Sequence, residues 1–160
     1  TFIYALMYGA GPAKIGSVVG GSAKEGQELT NRFLKNMPKL RNLRNQVIEA
    51  AESGLIKGLD GRLLHIRNSF SALNTLIQGA GAVVCKQWLV HMMAEVYASG
   101  LNVKLVGSIH DEYQFEVANQ DVKRFTEITK YTMSKTAKTL NLNCPLDSEY
   151  KVGITWLQTH

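Results

Sequence analysis

The chain has 160 residues, of which 45% are hydrophobic, and a net charge of +5 with a pI of about 9.2. Extended disorder is not expected, because the sequence has no long Gln, Ser or Pro tracts and its apolar content is sufficient for a core. Two cysteines without a metal-binding spacing, and no apolar run near the roughly 18 residues of a membrane span, also exclude a zinc site and a membrane helix.

The positive charge favours a nucleic-acid partner without requiring one. A pI above about 9 is one electrostatic sign of a nucleic-acid-binding domain, but a basic protein without such a partner has the same value. The basic residues form two clusters that either are solvated helix faces or follow a phosphate backbone. The first cluster is Lys24, Arg32, Lys35, Lys39, Arg41 and Arg44, and the second is Lys123, Arg124, Lys130, Lys135 and Lys138.

The first third of the chain predicts mostly helix. Residues 1–8 read as a strand by propensity alone, and a glycine-rich connector follows over residues 9–22. Residues 23–53 have helical periodicity with a break near Pro38. If residues 1–8 are helical instead, Tyr4 and Tyr8 lie on one face, where their rings either stack on bases or pack in a core.

The middle of the chain predicts a hairpin and then a long helix. Asp60-Gly61 stands between two short apolar runs, which is a strong turn signal. Residues 71–98 have helical periodicity and end at a Ser-Gly pair, where glycine suits the C-cap. Asn74 and Gln78 share one face of this helix, so their amides either donate to base edges in a minor groove or lie on a solvated surface.

A second hairpin is predicted over residues 103–117. The polar triplet His110-Asp111-Glu112 falls where the chain reverses. Adjacent carboxylates held rigidly by strands are suitable ligands for Mg²⁺, although an ordinary polar hairpin tip has the same composition. The alternating apolar positions are Val103, Leu105 and Ile109 before the turn and Tyr113, Phe115 and Val117 after it.

The end of the chain predicts a helix over residues 121–140 and a short strand over residues 145–152. Both cysteines, Cys85 and Cys144, have apolar neighbours and are predicted to be buried free thiols. The order of elements predicts an α+β fold in which helices cover one face of an antiparallel sheet.

Together these segments resemble the family A DNA polymerases, in particular the replicative enzymes of T-seven-like bacteriophages, over essentially the whole chain. In the order of that family, the matching segments are residues 1–11 (second half of the fingers-helix motif), 58–62 and 73–82 (hairpin and long palm helix), 109–112 (second catalytic carboxylate motif) and 145–156 (closing strand and tail). The Lys and Arg of the fingers motif would precede residue 1, so we expect the sequence to be a C-terminal piece of a larger protein.

The resemblance implies a fold and a division of the chain. Residues 1–55 would be the C-terminal part of the fingers helices, and residues 56–160 would be the palm with its catalytic hairpin and C-terminal strand. The expected architecture is therefore an antiparallel palm sheet backed by long helices, with a helical part of the fingers. The implied partners are primer-template DNA and a dNTP, with a processivity factor bound by domains outside this sequence and no membrane; the expected location is the bacterial host cytoplasm.

The resemblance also implies the chemistry, which is template-directed DNA synthesis in phage replication with two Mg²⁺ ions. Asp111 would be the catalytic ligand of both ions, and Glu112 a nearby, less critical catalytic carboxylate. The second bridging carboxylate belongs to a motif upstream of the fingers helix in this family, although Asp147 or Glu149 could replace it in principle. We therefore expect the isolated piece to be inactive, and the alternative is a non-catalytic nucleic-acid-binding module that keeps the palm scaffold.

The remaining implied roles are contacts to DNA and nucleotide. His110 would contact the primer terminus, and Tyr8 would stack near the templating base. Asn74 and Gln78 would meet the minor groove at the newest base pair, and Tyr4 would lie against the sugar of the incoming nucleotide. The family often has Arg at the position of Phe70, so no primer contact is assigned there.

Overall fold

A computed structural model describes residues 1–159, and the chain forms two compact units, Thr1–Ala80 and a second that begins at Gly81. The predicted α+β class is confirmed, since long helices occur with two separate two-stranded antiparallel sheets. The predicted division at residue 55 separates fingers from palm, whereas the two compact units meet at residues 80 and 81, so the predicted division stays a prediction.

The first unit contains α1 (Phe2–Met7), α2 (Pro12–Val18), α3 (Ala23–Asn36), α4 (Pro38–Ala50), β1 (Leu55–Lys57) and β2 (Leu63–His65). Helix α5 (Ala72–Ser99) begins in this unit and continues into the second. The second unit also contains β3 (Val103–Ile109), β4 (Glu112–Val117), α6 (Val122–Thr139) and the one-turn helix α7 (Trp156–Thr159). None of the helices within residues 1–159 has the length and apolar character needed to cross a bilayer.

Residues 2–7 form a helix although their propensity favours a strand. Leu6 is buried with Ile15 and Leu34, and Phe2 packs edge-on against Phe33 at a ring-centroid distance of 5.3 Å. A helix places Phe2 and Leu6 on one face, where they pack against α2 and α3, so tertiary packing overrides a weak local preference for strand.

Helices α2 and α3 touch backbone to backbone through two glycines. A Cβ atom at Gly26 would lie 2.3 Å from the Pro12 carbonyl oxygen, and one at Gly16 would lie 2.1 Å from that of Ser22. Helix α3 begins with a capping box, in which hydrogen bonds from the Ser22 backbone and then its hydroxyl hold the pKa of the Glu25 carboxyl below its ordinary value.

The predicted first hairpin and the break near Pro38 are both confirmed. Leu55–Lys57 pairs antiparallel with Leu63–His65, and Gly61 in the turn has a φ of 85°. Arg62 closes the turn with a 2.6 Å ion pair to Asp60. Val47, Ala51, Ile56 and Ala72 form the core that joins this hairpin to α4 and the start of α5.

The second unit packs α5 and α6 against the β3–β4 hairpin. Its buried core consists of Trp88, Met92, Val96, Phe125, Ile128 and Met133. The Trp88 indole N–H donates to the Thr129 carbonyl oxygen at 3.0 Å and lies 3.2 Å from the Thr132 hydroxyl, so its polar atom is satisfied inside that core. The long helix, the second hairpin and the following helix are thus all confirmed.

Two predictions about the end of the chain are wrong. Residues 145–152 form no strand, because an alternating pattern becomes a strand only when its backbone groups find a ladder partner, and no strand within residues 1–159 pairs with them. The side chain of Val152 in this segment is 62% exposed. Cys144 is exposed rather than buried, and Cys85 is half-buried.

Candidate functional site

The predicted acidic triplet lies at the tip of the β3–β4 hairpin. Ile109 pairs with Glu112, which leaves His110 and Asp111 as a two-residue loop. His110 has a φ of 54°, in the left-handed region that non-glycine residues rarely occupy. A positive φ at the first loop residue belongs to the type II′ turn, where glycine is the usual choice. The tip therefore holds a strained residue at a predicted functional position.

A β-bulge at Val106 decides which side chains share a face of this hairpin. Leu105 pairs with Phe115, but the register then shifts and Ser108 pairs with Tyr113. Because paired residues share a face, Ile109 lies on the face of Glu112 and not on that of Leu105. The predicted alternation of Val103, Leu105 and Ile109 is therefore interrupted, and the last of them is 41% exposed.

The two carboxylates of the tip have different surroundings. Asp111 is exposed, and its carboxylate makes no hydrogen bond or ion pair within residues 1–159. Glu112 is half-buried and accepts a hydrogen bond from the Gln114 side-chain amide on the same face. Asp111 is thus available to a ligand, whereas Glu112 is already engaged by a protein neighbour.

The hairpin tip could supply part of a metal site but does not form a complete one. Carboxylate oxygens are the ligands that Mg²⁺ prefers. Nowhere in residues 1–159 do three or more His, Cys, Asp or Glu side chains come together in a way that could hold a metal ion. Asp147 already accepts from the backbone N–H of Ser148 at 2.8 Å, whereas Glu149 lines a cleft of about 370 Å³ together with Glu112.

Cys85 is a neighbour of this tip that the sequence did not indicate. Burial, and secondarily the negative charge of Asp111, raise the pKa of its thiol. Burial also raises the pKa of Tyr113, with a smaller contribution from Cys85. Both groups therefore stay neutral beside the hairpin, and only the chain folding that brings α5 to β4 could have revealed this.

The predicted nucleotide-contacting residues of the first unit are exposed. Tyr4 is 72% exposed and Tyr8 is 55% exposed, so neither is a core aromatic. The Gln78 side-chain amide donates a 2.7 Å hydrogen bond to the Tyr8 hydroxyl oxygen. Asn74, one turn earlier on α5, is half-buried. The structure thus brings Tyr8 and Gln78 into contact. His110, Asp111 and Glu112 lie next to one another at the tip of the β3–β4 hairpin.

A second cleft, of about 230 Å³, lies wholly in the first unit. It is lined by Gly9, Asn31, Arg44 and Phe70 among others, so it begins next to Tyr8. Arg44 appeared in the sequence only as one member of a basic cluster. Arg44 lies on the same face of α4 as the apolar residues Leu40 and Val47, and this helical spacing could have indicated from the sequence that it faces inward.

Comparison with known proteins gives a consistent result. The sequence model of DNA polymerase family A matches residues 1–158. A DNA-directed DNA polymerase of Escherichia phage Phieco32 is 40% identical over all of this chain and 27% of its own length, and DNA polymerase I of Aquifex aeolicus is 30% identical over 96% of this chain and 28% of its own. The chain thus spans about a quarter of the length of these relatives.

A solved structure is similar in fold. The POL domain of Pol1 from M. smegmatis, in complex with DNA primer-template and dNTP, superposes with a TM-score of 0.75 at 20% identity over 84% of this chain and 26% of that one. The family model covers almost the whole chain and the phage relative is 40% identical over all of it, so this chain belongs to DNA polymerase family A.

Proposed function

We propose that the chain forms part of the active site of a DNA-directed DNA polymerase that acts in phage DNA replication, in the cytoplasm of a bacterial host. The observation that supports this most directly is the exposed carboxylate of Asp111, which follows the positive-φ residue His110 at the hairpin tip of a chain of DNA polymerase family A. The proposed partners are primer-template DNA and a dNTP, the molecules named with the related POL domain.

The hairpin tip would contribute to metal binding and hold the primer end. Asp111 would hold the Mg²⁺ ions through its carboxylate oxygens, and the paired strands would fix its position. When bound, the two ions would stabilise the attacking and leaving oxygens of nucleotidyl transfer. Glu112, engaged by Gln114, would contribute negative charge nearby, and His110 would contact the primer terminus.

The first unit would position the base pair being formed. Tyr8 would stack near the templating base, because an exposed ring can stack on any base. Tyr4 would lie against the sugar of the incoming nucleotide. Asn74 and Gln78 would donate to the acceptors that every base pair presents in the minor groove. Positioning and charge neutralisation together would supply most of the catalysis of nucleotidyl transfer.

Residues 1–160 alone are proposed to be catalytically inactive. Two ions about 3.5–4 Å apart need more carboxylates than one hairpin tip presents. Within residues 1–159 no cluster of three potential ligands exists. The chain would therefore extend no primer unless another part of a larger polymerase supplied a further carboxylate.

Primer extension tests this proposal. In a polymerase that contains this chain, Asp111→Asn should lower extension by at least about 10²–10³-fold, because it removes charge stabilisation of the transition state, while DNA affinity changes little. Glu116→Gln, which changes an exposed carboxylate on the same hairpin, is the matched control and should keep extension. Extension that survives Asp111→Asn, or Mg²⁺-dependent synthesis by the 160 residues alone, would contradict the proposal.

The second candidate is a non-catalytic nucleic-acid-binding module. It is favoured by the lack of a complete ligand cluster within residues 1–159. Primer extension by the complete protein that contains this chain distinguishes the two candidates. A polymerase would extend the primer, whereas the module would bind primer-template and extend no primer with any divalent cation.

A further inference from the structure

The outer face of the β3–β4 hairpin carries the second acidic residue of the tip and a glutamine. Tyr113 and Phe115 of β4 pack against the core of the second unit. Because side chains alternate along a strand, Glu112 and Gln114 point to the opposite face. Residues two positions apart on a strand are separated by roughly 6.5–7 Å, a distance that two long side chains can span. Strand β4 therefore places the Gln114 amide within reach of the Glu112 carboxylate.

The contact between these two side chains leaves the charge of the carboxylate in place. The Gln114 Nε2 group donates a hydrogen bond to Oε1 of Glu112. An amide carries no net charge, so it directs the carboxylate without neutralising it. The same face has a different arrangement farther from the tip, where the Lys104 ammonium lies 3.5 Å from the Glu116 carboxylate. Glu112 thus keeps its negative charge, while one of its oxygens is occupied by a protein donor.

The opposite strand favours this contact. Gly107 pairs with Gln114 across the hairpin and has no side chain that could compete for its amide. A Cβ atom at Gly107 would lie 3.4 Å from the Cβ of Gln114, so even the smallest side chain would touch it. Gln114 is also half-buried, and partial removal from water strengthens its hydrogen bond. Both features favour the hydrogen bond from Gln114 to Glu112.

The two carboxylates of the tip therefore differ in what an incoming cation would meet. Asp111 lies in the loop, is exposed and makes no hydrogen bond or ion pair within residues 1–159. An Mg²⁺ ion would displace only water from its oxygens. To take the bonded oxygen of Glu112, the ion would also have to break the hydrogen bond from Gln114, which weakens binding by about two- to tenfold.

We propose that Gln114 is a positioning residue that withholds Glu112 from the metal ions, so that Asp111 is the only carboxylate of the tip that binds them directly. This inference rests on the proposed function, because it takes Asp111 as a metal ligand. Without Gln114, both carboxylates would be free, and an ion could be drawn between them. Gln114 therefore selects one ligand out of two adjacent carboxylates.

Carboxyl ¹³C chemical shifts of the 160-residue chain, followed during an Mg²⁺ titration at constant pH and ionic strength, test this inference. In the wild type, Mg²⁺ should shift the Asp111 carboxyl and leave that of Glu112 nearly unchanged. Gln114→Met keeps the length of the side chain but has no N–H donor. In that variant the Glu112 carboxyl should shift as well, and Mg²⁺ should bind about two- to tenfold more tightly.

Two further variants separate the hydrogen bond from a general effect on the fold. Gln114→Lys keeps a donor at the same place and should leave the Glu112 carboxyl unresponsive to Mg²⁺. Glu116→Gln removes an exposed carboxylate from the same face and should behave like the wild type. A Glu112 response in Gln114→Lys as large as in Gln114→Met would show that the substitution acts through the fold and would overturn the inference.

Primer extension by a polymerase that contains this chain gives a second readout. Gln114→Met should lower extension by about two- to tenfold while the KM for dNTP and the primer-template affinity stay unchanged, because a released Glu112 draws an ion out of position. In a Glu112→Gln background the same substitution should have no effect, since no carboxylate is left to release.

The outcomes separate this inference from the proposed function. A Glu112 carboxyl that does not respond to Mg²⁺ in Gln114→Met, or that responds equally in the wild type, would overturn the inference. Additive effects of Glu112→Gln and Gln114→Met on extension would also overturn it. An Asp111 carboxyl that fails to respond to Mg²⁺ in all of the proteins would instead contradict the proposed function, in which Asp111 is the metal ligand.

Discussion

The Gln78 amide and the Tyr8 hydroxyl are joined by a 2.7 Å hydrogen bond across seventy residues of sequence. It connects the end of α1 to the first turns of α5, and both of its members were predicted to contact DNA. An amide nitrogen has two N–H groups, so Gln78 keeps one donor for a base edge while the other is held by Tyr8. The bond therefore orients Gln78 before DNA binds.

That coupling can be measured with a double-mutant cycle. Tyr8→Phe should weaken primer-template binding by about two- to tenfold, the value of one hydrogen bond, although the ring for stacking remains. In a Gln78→Ala background the same change should have little effect, because the bond is already lost. Additive effects of the two substitutions on the dissociation constant would show that the two residues act independently.

The left-handed residue at the hairpin tip gives a second prediction. His110→Gly should be more stable than His110→Ala by about 1 kcal/mol, because glycine occupies a φ of 54° without a Cβ penalty. Both substitutions remove the imidazole, so both should weaken primer binding to the same extent. Equal unfolding free energies for the two variants in urea would show that the turn relaxes and that His110 is not strained.

The stability of the second unit should depend on the protonation of His91. Its Nε2 lies 3.1 Å from the Gln87 amide nitrogen, which only donates, so this ring nitrogen accepts and the proton sits on Nδ1 toward the Thr136 hydroxyl. Burial, and then the positive charge of Lys135, lower the pKa of His91, while Glu95 opposes them. The neutral ring is the form that fits.

A histidine with a depressed pKa stabilises the fold above its unfolded pKa, and that contribution is lost as the pH falls through the folded value. The unfolding free energy should thus decrease below pH 6.5, the ordinary histidine value. His91→Gln should flatten this decrease relative to the wild type. Parallel stability curves from pH 8 to pH 5, measured by urea denaturation, would exclude His91 as the source.

The glycine contact between α2 and α3 gives the fourth prediction. Gly26→Ala should lower the unfolding free energy by about 1–3 kcal/mol, because its Cβ would collide with the Pro12 carbonyl oxygen. Gly81→Ala on α5 is the matched control, since no atom lies within 4 Å of that Cβ. It should stabilise the chain by about 0.5–1 kcal/mol through helix propensity. If both substitutions stabilise the chain, the close approach of the two helices is wrong.

Elements with local signals could be predicted from the order of the amino acids alone. The turn at Asp60-Gly61, the long helix ending before Gly100 and the reversal at residues 110–112 depend on residues close together in the chain, and all three are confirmed. The order of motifs also determined the family. Such features need only backbone dihedral preferences and periodicity, which any short segment contains.

Features that depend on distant partners became evident only once the chain was folded. Burial of Leu6 made residues 2–7 helical, the lack of a ladder partner left residues 145–152 without a strand, and the bulge at Val106 moved Ile109 to the other face. The isolation of Asp111 and the half-burial of Arg44 beside its cleft are also tertiary facts. A charge is available to a ligand only when no other part of the fold neutralises it, and the sequence cannot show which neighbours folding supplies.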